Sequence, residues 1–144
     1  KKINFLNKEV NEIEKYYDLL LCIDVFEHVR DYMGFIGEIK TKSHYKIFHI
    51  PLDISVSSIL RGQLMYTRKQ VGHLHYFTKE TALETLKDVN YEIIDYYYTK
   101  SFSQLNSKTK IQKMINLLRQ IIYYISPDLM ARILGGCSLI VLAK

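Results

Sequence analysis

Three acidic or imidazole side chains are spaced so that they could act together. Asp24, Glu27 and His28 occupy positions i, i+3 and i+4 directly after an apolar run, and on a helical turn those positions share one side. Two carboxylates and an imidazole that converge can serve as a general acid/base, or as a mixed oxygen and nitrogen ligand set for a divalent cation. A second group follows in His49-Ile50-Pro51-Leu52-Asp53, then Gly72-His73-Leu74-His75. His73 and His75 alternate, so at most one should face a cleft. Each residue also has a structural role open to it. Asp24 can cap a helix, Glu27 can pair with a base or with loop amides, and His28 can fix its loop. His49, inside an apolar stretch, reads as a packed, hydrogen-bonded core histidine. Cys22 reads as a small apolar residue. It lies far from Cys137 with no CxxC, which suggests neither a disulfide framework nor a zinc knuckle.

The elements that must position these residues alternate in type. Tyr17 to Ile23 is a continuous apolar run after one aspartate, the pattern of a strand buried on both faces. From Val29 the apolar residues recur every three to four positions through Ile39, predicting a helix. Tyr45 to Ile50 is a second strand, stopped by Pro51. Leu52 to Val71 is ambiguous, with a short helix over 55–60 and a loop at Arg61-Gly62. Thr78 is an N-cap candidate for a helix whose face is Ala82, Leu83, Leu86 and Val89, and Asn90 suits a left-handed C-terminal position. Tyr91 to Thr99, rich in Ile and Tyr, is a strand. Lys108 to Ile125 carries an apolar face (Ile111, Met114, Leu118, Ile121, Ile125) that is expected to be buried. Ser126-Pro127 starts another short helix, Gly135-Gly136 ends it, and Ser138 to Ala143 is a final buried strand. Ile3 to Leu6 is a further short strand candidate. This alternation predicts an α/β layered fold, and in open α/β sheets ligands bind beyond the carboxyl ends of the strands.

Composition bounds the function classes. The 144 residues are 48% hydrophobic and 24% charged, with two prolines and six glycines, as in an ordinary globular domain and unlike collagen or Pro/Gly-rich disorder. No apolar run approaches the roughly 18 residues of a membrane span. The net charge of +5 is spread in small clusters, Lys1-Lys2, Arg68-Lys69 and Lys108-Lys110-Lys113, and most tyrosines sit inside apolar runs. A solvated basic surface is therefore favoured over a nucleic-acid footprint. The lack of a signal-peptide pattern and the reduced-looking cysteines favour a cytoplasmic setting.

The stretch Tyr17-Asp18-Leu19-Leu20-Leu21-Cys22-Ile23-Asp24-Val25-Phe26-Glu27-His28-Val29 resembles the fourth strand and post-strand motif of class I S-adenosylmethionine (SAM)-dependent methyltransferases. Tyr45 to Pro51 resembles their fifth strand. Gly72 to Tyr91 resembles the helix leading to the sixth, with Asn90 in place of the usual Gly. Ser138 to Ala143 resembles the antiparallel seventh. The resemblance covers about residues 3–100 and 137–144 and implies a partial Rossmann-like methyltransferase fold, strands 4-5-7-6, with a helical insertion over 107–135 inside a single partial domain, 1–144. It also implies an open sheet edge where the family's first strand would pair. The family's glycine-rich cofactor loop has no counterpart, since no Gly-x-Gly occurs in these residues.

What the resemblance implies about function is SAM-dependent methyl transfer to an unidentified acceptor, with this chain as the C-terminal half of the catalytic domain and inactive by itself. The backbone around Cys22, Ile23 and Asp24 would line the cofactor. Glu27, His28 and His73 would face a small-molecule acceptor as base or ligands. Some relatives, among them RNA 2′-O-methyltransferases, hold a divalent metal on an E-x-x-E-H motif here. Asp24, Glu27, His28 and His73 would be the matching ligands, and a metal-dependent RNA enzyme is one alternative reading. A non-catalytic interaction module is another. Segment 107–135 and the open edge are surfaces for a homodimer; a lid or membrane-surface role is also open to 107–135.

Overall fold

The computed structural model describes residues 3–104 and 109–144. Lys1-Lys2, and Ser107 and Lys108 at the start of the expected insertion, lie outside them. Four strands form one sheet: β1 (Tyr17–Ile23), β2 (Ser43–Pro51), β3 (Ile93–Thr99) and β4 (Ser138–Ala143). Their spatial order is β1-β2-β4-β3. β1 runs parallel to β2, with Cys22 opposite Phe48 and Ile23 opposite His49. β4 is antiparallel to both β2 and β3. The last strand thus inserts between its predecessors and reverses direction, as the 4-5-7-6 expectation requires.

One face of the sheet carries the core. Cys22, Phe48, Ile50, Leu139, Val141 and Ala143 form a buried cluster with Ile36 and Ile39 of α1 (Tyr32–Lys40) and Ala82, Leu83 and Leu86 of α4 (Lys79–Asp88). Lys46 is buried at the edge of this core because its ammonium donates to the carbonyls of Lys40 (2.6 Å) and Ser43. The opposite face of β1 is open. Leu19, Leu21 and Ile23 are 46%, 62% and 47% exposed, so the strand expected to be buried on both faces is buried on one. β1 is also the edge of the sheet, and an apolar edge of this kind is a pairing template.

The helix starts follow local capping. Asp31 accepts from the Gly34 amide at 2.9 Å, so α1 begins at Tyr32 rather than Val29. A Cβ on Gly34 would sit 2.3 Å from the Asp31 carboxylate. Thr78 caps α4 in a reciprocal box with Thr81, and Asn90 takes the left-handed conformation (φ 62°). The ambiguous stretch contains two helices, α2 (Val56–Leu60) and α3 (Gln63–Gln70). Ile3 to Leu6 is not a strand but an exposed extended segment with no sheet partner.

Between β3 and β4 lie α5 (Lys110–Ile125) and α6 (Pro127–Ile133), the latter capped by Ser126. The apolar face of α5 corrects the expectation of burial: Ile111, Met114, Leu118, Ile121 and Ile125 are all exposed. The helix instead turns its other side to the body. Arg119 reaches the Leu134 carbonyl (3.0 Å) and the Tyr123 hydroxyl donates to the Tyr98 carbonyl (2.8 Å). Among the described residues no helix is long and apolar enough to cross a membrane.

Asp128 ties α6 to α4 and β3. Its carboxylate accepts from Lys79 Nζ (2.6 Å), the Tyr98 hydroxyl (2.6 Å) and Arg132 Nε (2.7 Å). The Lys79 hydrogen bond, then those of Tyr98 and Arg132, hold this carboxyl well below the usual carboxylate range. A depressed carboxylate contributes stability that is present above its unfolded pKa and lost as pH falls through the folded one. Chemical denaturation measured across acid pH should therefore show a loss of stability below about pH 4, and Asp128→Asn should flatten that dependence while lowering stability at neutral pH.

Candidate functional site

The site begins where β1 leaves the sheet. The Asp24 amide donates to the His49 carbonyl at 3.1 Å, extending the parallel ladder by one bond. Asp24 then turns left-handed (φ 49°), a conformation Asp tolerates better than most residues. This turn sends its carboxylate to His49 Nδ1 at 2.7 Å. A short 3-10 turn over Phe26–His28 follows. The chain does not continue as a regular helix from Asp24, so the i, i+3, i+4 convergence fails for its first member. Asp24 pairs with His49, and the group that converges is Glu27, His28 and His73.

Those three offer ligand atoms within 4.8 Å of one another. The Glu27 carbonyl accepts from the amides of Leu74 (2.8 Å) and His75 (3.2 Å), which folds the 72–77 loop back over the turn. His73 and His28 then meet edge to face, ring centres 4.8 Å apart. His75 faces away, donating Nε2–H to the Val29 carbonyl at 2.9 Å and lying over Tyr32. One histidine of the alternating pair reaches the cluster, as its spacing requires.

The protonation pattern follows from the partners. His28 Nδ1 lies 3.1 Å from the Gly72 carbonyl, and His73 Nδ1 lies 2.6 Å from the Asp53 carboxylate. Both partners are acceptors, so both Nδ1 atoms carry hydrogen, and Nε2 is the free lone pair on each neutral ring. His28 Nε2 is 3.9 Å from Glu27 Oε1. Glu27 is fully buried, and among the described residues neither of its carboxylate oxygens has a hydrogen-bond partner. Three groups able to take a proton or a cation thus face one another. Burial pushes the Glu27 carboxyl above its ordinary value, and the Asp24 charge adds to that. A buried carboxylate left this way is costly unless a proton or a cation joins it.

The expected cofactor-side residues divide. Ile23 and Asp24 stand half-exposed at the carboxyl end of β1. The Cys22 side chain points into the core, and burial pushes its thiol up to about 12. Only the backbone of Cys22 can face a ligand. Asp53, which orients His73, was visible in the sequence only as part of the His49–Asp53 group. His49 is hydrogen-bonded, as expected of it, but it sits at the strand end beside Asp24 rather than within the core.

A cavity of about 410 Å³ adjoins the cluster at Asp53. It lies between the α2–α3 turn, α5 and the Gly135-Gly136 turn, beyond the ends of β2 and β3. Its walls include Arg61, Thr67, Asn116, Arg119 and Ser138.

No protein-family model matches the sequence, and no curated protein does. Solved structures do match. A SAM-dependent methyltransferase from Archaeoglobus fulgidus superposes with TM-score 0.57 at 17% identity, over 99% of this chain and 68% of that one. The cyclopropane synthase MmaA2 from Mycobacterium tuberculosis gives 0.57 at 10%, over 96% and 59%. Magnesium protoporphyrin IX methyltransferase from Synechocystis, solved with bound S-adenosylhomocysteine, gives 0.53 at 11%, over 94% and 48%. The fold is that of the class I SAM-dependent methyltransferases. The chain spans between about half and two thirds of the length of these three proteins.

A raised carboxyl pKa reverses the usual carboxylate sign. Glu27 is tolerated as its protonated form below the unfolded pKa and costs stability as pH rises through the folded value. In the presence of a chelator, Glu27→Gln should raise the melting temperature at pH 7–8, with the gain over wild type shrinking toward about pH 4. An equal or lower melting temperature across that range would show that Glu27 is satisfied in solution.

Proposed function

We propose that the complete protein transfers the methyl group of SAM to an acceptor nucleophile, with this chain forming the acceptor side of the site. The observation that carries the reading is the buried, unpartnered Glu27 facing two oriented imidazoles at a strand end, within a methyltransferase fold. When bound, SAM supplies a methyl group on a sulfonium leaving centre. Ile23 and Asp24, at the exposed end of β1, form one wall of its cleft. The glycine-type close approach would come from residues other than these, because this sequence contains no Gly-x-Gly.

An acceptor nucleophile would take that methyl group, the carbon–sulfur electron pair remaining on sulfur. The acceptor's proton passes to the His73, His28 and Glu27 group. His73 is the best placed base, since Asp53 on Nδ1 fixes its tautomer and stabilises the imidazolium that forms. Positioning supplies much of the rate in such a displacement.

A second reading is favoured by the same unpartnered carboxylate. Glu27 with Nε2 of His28 and His73 suits a divalent cation that would polarise an acceptor oxygen, and Asp53 supports His73 from behind, as carboxylates do at metal-bound histidines. Asp24 is not among the ligands, because it is bonded to His49.

Calorimetry of the complete protein with SAM tests the main reading. Micromolar binding is expected, weakened about tenfold or more, at least 1.4 kcal/mol, by Asp24→Ala. No binding would leave a non-catalytic interaction module, and binding unaffected by Asp24→Ala would remove the cofactor wall assigned here. For the second reading, manganese or zinc should raise the melting temperature of wild type but not of Glu27→Gln. Equal shifts in the two would leave the cluster as an acid/base group alone.

A further inference from the structure

The cavity beside the cluster contains two guanidinium groups and one carboxylate, and that carboxylate is already engaged. Arg61 closes α2 and Arg119 projects from the body-facing side of α5; both line the cavity. Among the described residues Asp53 is the only acidic one lining it, and its carboxylate holds His73 at 2.6 Å. No acidic residue occurs anywhere in α5, so Arg119 has no carboxylate on its own helix.

Arg119 is fixed in place but not satisfied. One terminal nitrogen donates to Asn116 Oδ1 and the other to the Leu134 carbonyl, both at 3.0 Å. Its Nε–H is buried and has no acceptor among the described residues. Gly136 makes room for it: at φ 85° a Cβ there would lie 3.6 Å from Arg119 Cζ and 3.1 Å from Phe102 Cβ. Burial and the charge of Arg61 both act against the Arg119 cation. A buried donor without an acceptor costs stability. A guanidinium fork is best satisfied by the paired oxygens of a carboxylate or phosphate.

We propose that this cavity binds the anionic group, carboxylate or phosphate, of the methyl acceptor, with Arg119 as its inner anchor and Arg61 at the rim. Anion capture stands on the cavity alone; that the anion belongs to a methyl acceptor rests on the function proposed above. Asp53 is shared by cavity and cluster, so an acceptor anchored at Arg119 lies against the residue that orients His73. The acceptor is thereby an acidic small molecule.

The test is an NMR titration of the isotope-labelled complete protein, following the arginine Nε–Hε signals at constant ionic strength. Inorganic phosphate is added in one arm, acetate in a second and chloride in a third. The Arg119 signal should shift saturably with phosphate or acetate and not with chloride, and the tighter arm identifies the anion's chemistry. Arg61→Gln, which leaves the Arg119 bond to Leu134 in place, should weaken that binding about tenfold. An Arg119 signal unmoved by both anions to tens of millimolar, moved equally by chloride, or saturating equally in Arg61→Gln would overturn the assignment. SAM calorimetry on the same sample separates the failures. Anion capture without SAM binding keeps this site and removes methyl transfer, and the reverse outcome removes this site alone.

Discussion

The geometry of the candidate site depends on one buried carboxylate. Glu27 has no exposure, and among the described residues both its oxygens lack hydrogen-bond donors. The surrounding structure keeps it there. The left-handed Asp24 ends β1, the 3-10 turn directs Glu27 inward, and the Glu27 carbonyl gathers the Leu74 and His75 amides. That backbone clamp brings His73 to the carboxylate. Acceptors at both Nδ1 atoms then leave groups able to take a proton or a cation facing inward. Such an arrangement is a stability cost in the resting fold and an asset to a reaction that must accept a proton or hold a cation.

The sheet leaves one edge and one face of the site's first strand open among the described residues. β1 is an edge strand whose residues after Asp18 are all apolar, and Leu19, Leu21 and Ile23 stand exposed on its open face. The chain spans only part of the length of the solved proteins it resembles. The carboxyl ends of β1 and β2 carry Asp24, His49 and, just beyond, Asp53. Polar chemistry is thus concentrated where this fold places its ligands.

Much of this was legible in the residues. The strands were marked by apolar runs, and the caps at Thr78, Asn90 and Ser126 by residues whose side chains or backbone preferences suit those positions. The motif through Val29 pointed to the methyltransferase fold, and His73 lies in a loop that meets His28. Four features were not legible. Asp24 was grouped with Glu27 because spacing says nothing about a left-handed turn that redirects one member. α3 was missed because Gln63 to Gln70 has no apolar period. The α5 stripe was expected to be buried because amphipathicity shows which face is apolar, not which face a helix turns inward. Arg61 and Arg119, 58 positions apart in sequence, carry no local signal of their meeting.

Carbon NMR of the Glu27 side-chain carboxyl, titrated in the complete protein, tests the central claim most directly. The account predicts a midpoint clearly above the ordinary glutamate range, accompanied by proton release when manganese or zinc is added if the cluster holds a cation. A midpoint at or below the ordinary range would contradict it, showing that Glu27 already has hydrogen-bond donors and that the three groups do not form a proton- or cation-holding centre.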